Sequence, residues 1–411
     1  MVLKGLRVLD FGRYIAGPYC ATMLADLGAE VIRVERLQGS EDRYLAPIGE
    51  KGEGGMFLHI NRNKLGITLN PMKPEGRKIV SQLVANADVV IANLPQESLE
   101  QMGLDYETLK KYKSDIIVVS TSAFGAKGPY SKRTGFDGIA QAMCGNMHLS
   151  GTPGQPTKSF ANWVGFSTAM YAAYGVMAAL MHKTATGEGQ VVETNLLRSS
   201  MSLFHANNME QSLTDKNRTP TGNRAQFGGP SDSFDTQDGK IIISVIGKPL
   251  FQRWATLVDA EDLLSDPRFS TDNDRGSEQG EILSEHMQTW CLNYTNQQAL
   301  ALLEQARIPA GPVLSPKQAM EDQHVQQSNM LQMLDYPGID QPIPMMPLPI
   351  EFSALETSIR LRPPQLGKDT EQIMHTLGYN ASEIAALRDI RVISSGTSLI
   401  LLTGNSMKII G

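Results

Sequence analysis

The sequence predicts an α/β protein with a doubly wound parallel sheet, and three observations carry that expectation. Short apolar strands alternate with helix-period segments through the first third of the chain. Glycine or proline marks several of the changes of period, as at Gly17-Pro18, Gly28 and Pro74. Strand, helix and strand recur within roughly 30 to 35 residues, the span of a βαβ crossover.

Leu6 to Phe11 reads as a short buried strand. Gly17-Pro18 opens a helix from Tyr19 to Leu27, Gly28 closes it, and Glu30 to Glu35 is the next strand. Gly66 to Asn70 is strand-like, Pro74-Glu75-Gly76 starts a helix through Asn86, and Asp88 to Ala92 is again a buried strand. Tyr106 to Tyr112 is a short helix and Asp115 to Ser120 a strand. From Asn162 to Lys183 the chain is rich in Ala, Met, Tyr and Val and has no Pro, which predicts a long, largely buried helix before Thr186-Gly187-Glu188-Gly189. Gln190 to Asn195 then reads as a strand.

Residues 213–233, rich in Asn, Gly, Pro, Ser and Thr, mark a linker or mobile loop. A second compact region follows, with a strand at Lys240 to Val245 and helical patterns over 249–259, 278–293 and 296–306. Residues 327–364 have frequent Pro and Met and weak periodicity, as expected of a segment returning across the first domain. Lys368 to Leu387 holds two short helical stretches, and the apolar tail from Ser394 shares no pattern with what precedes it. The expected organisation is therefore a large domain over 1–200, a small domain over 225–320, a return segment over 321–392 and an atypical tail over 393–411.

Composition narrows the function classes. The 411 residues carry 37 Lys and Arg against 43 Asp and Glu, a net charge of −6, which argues against a nucleic-acid partner but allows a local basic pocket. Three cysteines, Cys20, Cys144 and Cys291, with no CxxC pair, predict neither a disulfide framework nor a zinc site. No run of about 18 uncharged apolar residues and no signal-peptide core occurs, so the expectation is a soluble, cytoplasmic protein with no membrane partner.

The first strand-to-helix turn, Phe11-Gly12-Arg13-Tyr14-Ile15-Ala16-Gly17-Pro18, is not GxGxxG, and no Walker, GxSxG or HExxH motif is present. Glu35 sits where a ribose-binding acid would stand, but Arg36 follows it, which suits a phosphate better. The seven histidines are not at metal-ligand spacing and read as structural, and Glu41-Asp42 reads as a solvated loop. Arg62, Lys64 and Lys73 read either as a charged loop or as a site for an anionic, nucleotide-like ligand.

Taken together, LKGLRVLDFGRYIAGPYCATMLADLGAEVIRVER, NRNKLGITLN and ADVVIANLPQESLEQMGLDYETL resemble the class III CoA-transferases, the group with formyl-CoA and carnitine CoA-transferases and α-methylacyl-CoA racemases. GFDGIAQAMCG, AAYGVMAALMHKTATGEGQVVETNLL, FDTQDGKIIISV and ARIPAGPV follow in the family's order. The resemblance implies a Rossmann-like large domain with a smaller α+β domain, both ends of the chain in the large domain, and an interlocked homodimer. It implies coenzyme A as the bound thioester, no metal, and an acyl-CoA donor with a small carboxylic acid as acceptor. Arg13, Arg224 and Lys248 read either as surface positions or as cations near the acceptor end, where they would suit a small dicarboxylic acid.

By motif, Ile15 and Ala16 match positions lining the CoA pocket, and Arg36 an arginine near the ADP moiety. Leu69, Asn70, Pro71 and Met72, with Asn93, Leu94 and Pro95, match adenine- and pantetheine-side contacts. Gln101 falls where relatives can have an arginine, and Lys73 is the candidate for a displaced charge. Thr134, Gly135, Phe136 and Asp137 match a further CoA-contacting stretch; the racemase branch has a histidine at what resembles Asp137, and its absence weighs against racemisation. Gly228-Gly229 resembles the glycine loop that covers the transferase site.

The family's catalytic Asp stands fifteen residues ahead of the Leu matched by Leu180, and that position holds Gly165. The implied chemistry needs a carboxylate to attack the thioester carbonyl, form a mixed anhydride and expel CoA thiolate. Three accounts stay open: an engineered replacement of the aspartate, a natural homologue that binds CoA thioesters without transfer, or another acid, Asp137 being nearest. The intact WVxFSTAMYAAYG surroundings favour the first, so the expected function is a CoA-transferase inactivated at Gly165, with a non-catalytic binder or an acyl-CoA racemase as alternatives.

Overall fold

The computed structural model describes residues 1–48 and 53–395, so the apolar tail expected from Ser394 lies, beyond Ser395, outside the described residues. Six strands, β1 (Arg7–Asp10), β2 (Glu30–Glu35), β3 (Lys64–Thr68), β4 (Val89–Ala92), β5 (Ile117–Ser122) and β6 (Val191–Asn195), form one sheet in the order β3-β2-β1-β4-β5-β6. Every neighbouring pair is parallel, as the sequence predicts. Strand order reverses between β1 and β4, which opens a crevice at their carboxyl ends.

Alternation along the strands feeds two cores. Leu9, Ile32, Val90 and Val118 pack with Ile79, Leu83 and Leu109 on one face. Val8, Val31, Val89 and Val119 pack with Cys20, Leu24, Ala169, Ala172 and Val176 on the other. Side chains of consecutive residues leave a strand on opposite sides, so a sheet covered on both faces needs apolar residues at every position. The first core also takes Ile373, Met374, Ile384, Leu387 and Val392, so the end of the chain completes a core begun by its start.

Helix Trp163–Thr186 lies on the second face. Its Ala169, Ala172, Ala173, Val176 and Ala179 are small enough to bring its backbone close to helix Ala16–Asp26. Among the described residues it is the one helix long and apolar enough to cross a membrane by length and composition, and half of that stretch is buried. The sequence shows no unbroken apolar run there because Thr and Ser interrupt the apolar residues.

The described residues fold into two compact units, one of residues 1–48, 53–144, 160–206 and 329–395, the other of 145–159 and 207–328. The second unit has an antiparallel sheet of β7 (Asp232–Asp235), β8 (Lys240–Ile243) and β9 (Ala310–Pro312), in the order β9-β8-β7. Phe234, Ile241, Phe251, Trp254, Leu283, Met287 and Leu303 form its core. Helix Asn296–Gln305 begins on a reciprocal cap between Thr295 and Gln298.

Several elements differ from the sequence reading. β3 starts at Lys64, two residues before the predicted strand, because its charge is neutralised inside the protein: Nζ donates to Asp10 Oδ2 at 2.8 Å. Arg62 is likewise buried and paired with Asp26 at 2.7 Å. Neither side chain is available to an anionic ligand, which corrects that reading of the Arg62–Lys73 cluster. Asp42, read as solvated, is buried beside Arg33 at 3.3 Å. Helix Leu196–Thr214 is absent from the sequence reading; it carries Ser, Asn and His among its apolar residues and has no strong periodicity.

Candidate functional site

The loop after β1 is fixed from four sides. Buried Asp10 accepts the Gly12 N–H through Oδ1 at 2.8 Å, while Arg33 donates to the Gly12 carbonyl. Asn93, one residue past β4, accepts the Arg13 N–H at 2.6 Å and donates to the Arg13 carbonyl at 2.7 Å. Asp42 Oδ2 accepts the Tyr14 N–H at 2.9 Å. Tyr14 has φ of 57°, a left-handed conformation that a tyrosine adopts only where its surroundings impose it.

The charges beneath this loop are buried and mutually compensating. Burial pushes the Asp10 carboxyl up, but Lys64 and Arg33 outweigh it and hold the group below its ordinary value. Burial lowers the Lys64 ammonium to about 8 against the pull of Asp10. Asp42 is raised, chiefly by burial, with Arg33 opposing. Glu35, at the end of β2, is committed to Arg43 at 2.5 Å, so it is not a ribose acceptor.

At the carboxyl ends of β1 to β4 lies a cleft of about 750 Å³. Arg36, Leu69, Asn70, Pro71, Met72, Lys73, Leu94, Pro95 and Gln101 all line it, so nine of the residues singled out from the sequence come together there. Arg13 and Arg391 complete its basic lining, and no acidic side chain lines it among the described residues. Arg13 and Arg36 share Glu41 just outside it, Arg13 at 3.7 Å. Lys73 is the N-cap residue of helix Pro74–Ala85, whose first-turn N–H groups add positive potential. A cleft lined by apolar and cationic side chains suits a ligand with a flat ring and phosphates.

A second cluster stands at the start of helix Trp163–Thr186. The Gly165 N–H donates to Asp137 Oδ2 at 2.8 Å, and Gln141 Nε2 donates to Asp137 Oδ1 at 2.5 Å. Both carboxylate oxygens of Asp137 are thus engaged, and one satisfies a first-turn amide of the long helix. A Cβ at position 165 would stand 3.2 Å from Ile15 Cβ and 3.3 Å from its Cγ2, tighter than ordinary contact. Phe136 is exposed and meets the Tyr14 ring edge-on with centroids 5.1 Å apart. Ala16 is buried as the first residue of its helix, Gly135 lies against Ala123 and Phe124, and Thr134 is exposed. The Gly12–Ile15 loop therefore touches both groups, Arg13 at the cleft and Ile15 over Gly165.

Gly228 and Gly229 belong to the second unit. A Cβ on Gly228 would meet the Val245 carbonyl at 2.8 Å and one on Gly229 the Arg275 carbonyl at 2.7 Å, so close backbone approach accounts for both glycines there. Arg224, weighed as an acceptor-binding cation, donates to the Ser277 carbonyl at 2.8 Å within the same unit. Sequence reasoning read Asp42 as solvated and did not single out Arg391, whose neighbours in the fold are distant in sequence. Among the described residues no three His, Cys, Asp or Glu side chains gather as metal ligands, and the three cysteines are buried thiols outside any disulfide.

Residues 3–370 match the model of CoA-transferase family III. The chain is 32% identical over 395 residues to the succinyl-CoA–D-citramalate CoA-transferase of Chloroflexus aurantiacus, covering 95% of this chain and 98% of that protein. It is 34% identical to the succinyl-CoA:mesaconate CoA-transferase of Haloarcula hispanica, over 92% of this chain and 96% of that one. A CaiB/BaiF family protein from Brucella suis superposes with a TM-score of 0.80 at 30% identity, covering 91% of this chain and 99% of its own.

Proposed function

The chain belongs to CoA-transferase family III, and from that premise we propose that it binds an acyl-CoA thioester and a small carboxylic acid with Gly165 at the nucleophile position. The coenzyme's nucleotide end lies in the cationic cleft of Arg13, Arg36 and Lys73, and the thioester reaches the Ile15–Gly165 cluster. The Gly12–Ile15 loop, which touches both groups, is the observation that carries this reading.

Transfer needs a carboxylate that attacks the thioester carbonyl, gives a mixed anhydride and releases CoA as thiolate. The acceptor carboxylate then attacks the enzyme's acyl carbon and displaces the donor as a free carboxylate, and the thiolate attacks the acceptor's acyl carbon, forming the new thioester and releasing the enzyme carboxylate. Backbone N–H groups at a helix start are suited to the tetrahedral oxyanions on this path. Gly165 supplies no carboxylate, so this chain is impaired in transfer while the binding parts are retained. Loss of a covalent nucleophile removes several powers of ten in the serine-protease case.

Both relatives cited above carry succinyl-CoA in their names together with a dicarboxylic acid, and a dicarboxylate is the acceptor class proposed for this chain. A homodimer is the proposed assembly. Non-catalytic binding of CoA thioesters is the second reading, favoured by Gly165 itself.

The test is thioester exchange from succinyl-CoA to a panel of dicarboxylic acids, with the chain as it stands and with Gly165→Asp. Exchange only in the variant supports the transferase reading and position 165. Exchange in both assigns the work to another carboxylate. Silence in both, with CoA thioesters still bound, leaves the binder.

A further inference from the structure

We propose that Arg391 is a phosphate-binding residue of the cleft, meeting the nucleotide end of coenzyme A; the inference rests on the reading of the cleft given above. Its backbone fixes the place. Helix Ala381–Asp389 ends on Ile390, and Arg391 follows with φ of 56°. The Val392 N–H reaches the Leu387 carbonyl at 2.9 Å and the Arg391 N–H the Arg388 carbonyl at 2.8 Å. That pair of bonds is the Schellman ending, and its left-handed residue is ordinarily glycine because a Cβ is disfavoured there. Arg307 ends helix Asn296–Gln305 with the same pair of bonds outside the cleft, so the corner is a way of turning the chain, and what sets Arg391 apart is that it lines the cleft.

The corner carrying Arg391 is also pinned to the cleft on both sides. Lys73 Nζ donates to the Ile390 carbonyl, and the Asn70 N–H to the Val392 carbonyl at 2.8 Å. These two contacts hold Arg391 against the loop between β3 and helix Pro74–Ala85, although more than 300 residues separate them in sequence. Lys73 has thereby given one of its donors to the protein, and Arg13 and Arg36 share Glu41. Among the described residues Arg391 is the cleft arginine with no carboxylate partner. Gln101, which lines the same cleft, brings no charge. A guanidinium offers paired N–H donors matched to phosphate oxygens, so Arg391 supplies the cation that Gln101 does not.

Arg391→Gly separates binding from folding, since glycine is favoured at that φ and the variant keeps the helix ending intact. Calorimetric titration of the full chain and of Arg391→Gly with CoA, 3′-dephospho-CoA and pantetheine tests the proposal. The expected result is CoA affinity lower by about tenfold in the variant, with a weaker dependence on salt and unchanged pantetheine binding. Arg391→Lys should fall between the two. A loss seen with CoA alone assigns the 3′-phosphate, and a loss with 3′-dephospho-CoA as well assigns the diphosphate; both support the proposal. Equal CoA affinity in the chain and in Arg391→Gly overturns it while leaving the cleft reading in place. CoA binding to the unaltered chain no tighter than pantetheine overturns the cleft reading and this inference together.

Discussion

Asp137 accepts the Gly165 N–H at 2.8 Å, so this carboxylate is already serving as a cap for the long helix. The helix's own N-cap residue, Asn162, makes no side-chain cap bond, which leaves that task to Asp137. A group with both oxygens engaged by N–H donors is a poorer nucleophile than a free carboxylate. Asp137→Ala should lower stability by about 1 kcal/mol, the usual cost of removing a cap, read as a lower urea midpoint. Asp137→Asn keeps an acceptor for the amide and should cost less. An unchanged midpoint in Asp137→Ala would sink the capping role.

Placing an acid at 165 has a steric condition attached. The new Cβ would press on Ile15 at 3.2 Å, and Asp137 would sit close to a second negative charge. Crowding of this kind costs roughly 1–3 kcal/mol in a packed site. Gly165→Asp is therefore expected to be less stable than the unaltered chain. The double variant with Ile15→Ala, which keeps the Cβ but removes the Cγ2 at 3.3 Å, should relieve part of the crowding and exchange thioester faster than Gly165→Asp alone. A double variant no faster than the single would show that Ile15 yields without cost.

How much of this was written in the sequence depends on the distance over which each signal acts. Glu30–Glu35 was legible because β-branched residues and flanking glycine act within a few positions, and the strand has those ends. Lys64 misled because a lone lysine reads as surface, and only the fold brings Asp10 to it from the end of β1. Asp42 misled in the same way, its partners being Arg33 and the Tyr14 amide. The cleft residues Leu69 to Lys73 and Leu94-Pro95 were singled out through the family resemblance of the segments that hold them, next to strand ends. Arg391 was not, because its neighbour Lys73 is nearly the whole chain away and no local pattern announces a left-handed arginine.

Asn93 should matter more for binding than its size suggests. It pairs both main-chain groups of Arg13, and with them the entry of the cleft. Asn93→Ala leaves an N–H and a carbonyl to find water, at about 1–3 kcal/mol if they remain buried. CoA affinity is expected to fall several-fold by calorimetric titration. Asn93→Asp, which keeps the acceptor but not the donor, should lie between. Undiminished affinity in Asn93→Ala would mean that Asp10, Arg33 and Asp42 hold the loop without it.

His59 gives the fold a pH dependence with a definite sign. It stacks on Tyr19 and lies near Phe166, and burial, with Arg62 adding, lowers its imidazole from 6.5 to about 4. Between those values the unfolded chain binds a proton that the folded chain refuses. Stability is therefore full above pH 6.5, declines as pH falls toward 4 and stops declining through this group below that. Urea midpoints at pH 7 and pH 5 should differ less in His59→Phe than in the unaltered chain. An equal difference in both would place the pH dependence elsewhere.

The outer face of helix Trp163–Thr186 predicts the assembly. Met170, Tyr174 and Met181 recur on one side of the helix and are 52%, 77% and 74% exposed. Leu203 on the following helix is also exposed. A run of large apolar side chains on neighbouring helices is costly to leave in water and marks a surface that another body covers. A second copy of this chain is the expected cover, and light scattering after size exclusion should give twice the chain mass at micromolar concentration. Tyr174→Lys with Met181→Lys places two like charges on the face and should shift the mass toward the monomer. A monomer in both, with the unaltered chain sedimenting on lipid vesicles, would give the face to a membrane instead. A monomer that ignores vesicles would remove the dimer without replacing it.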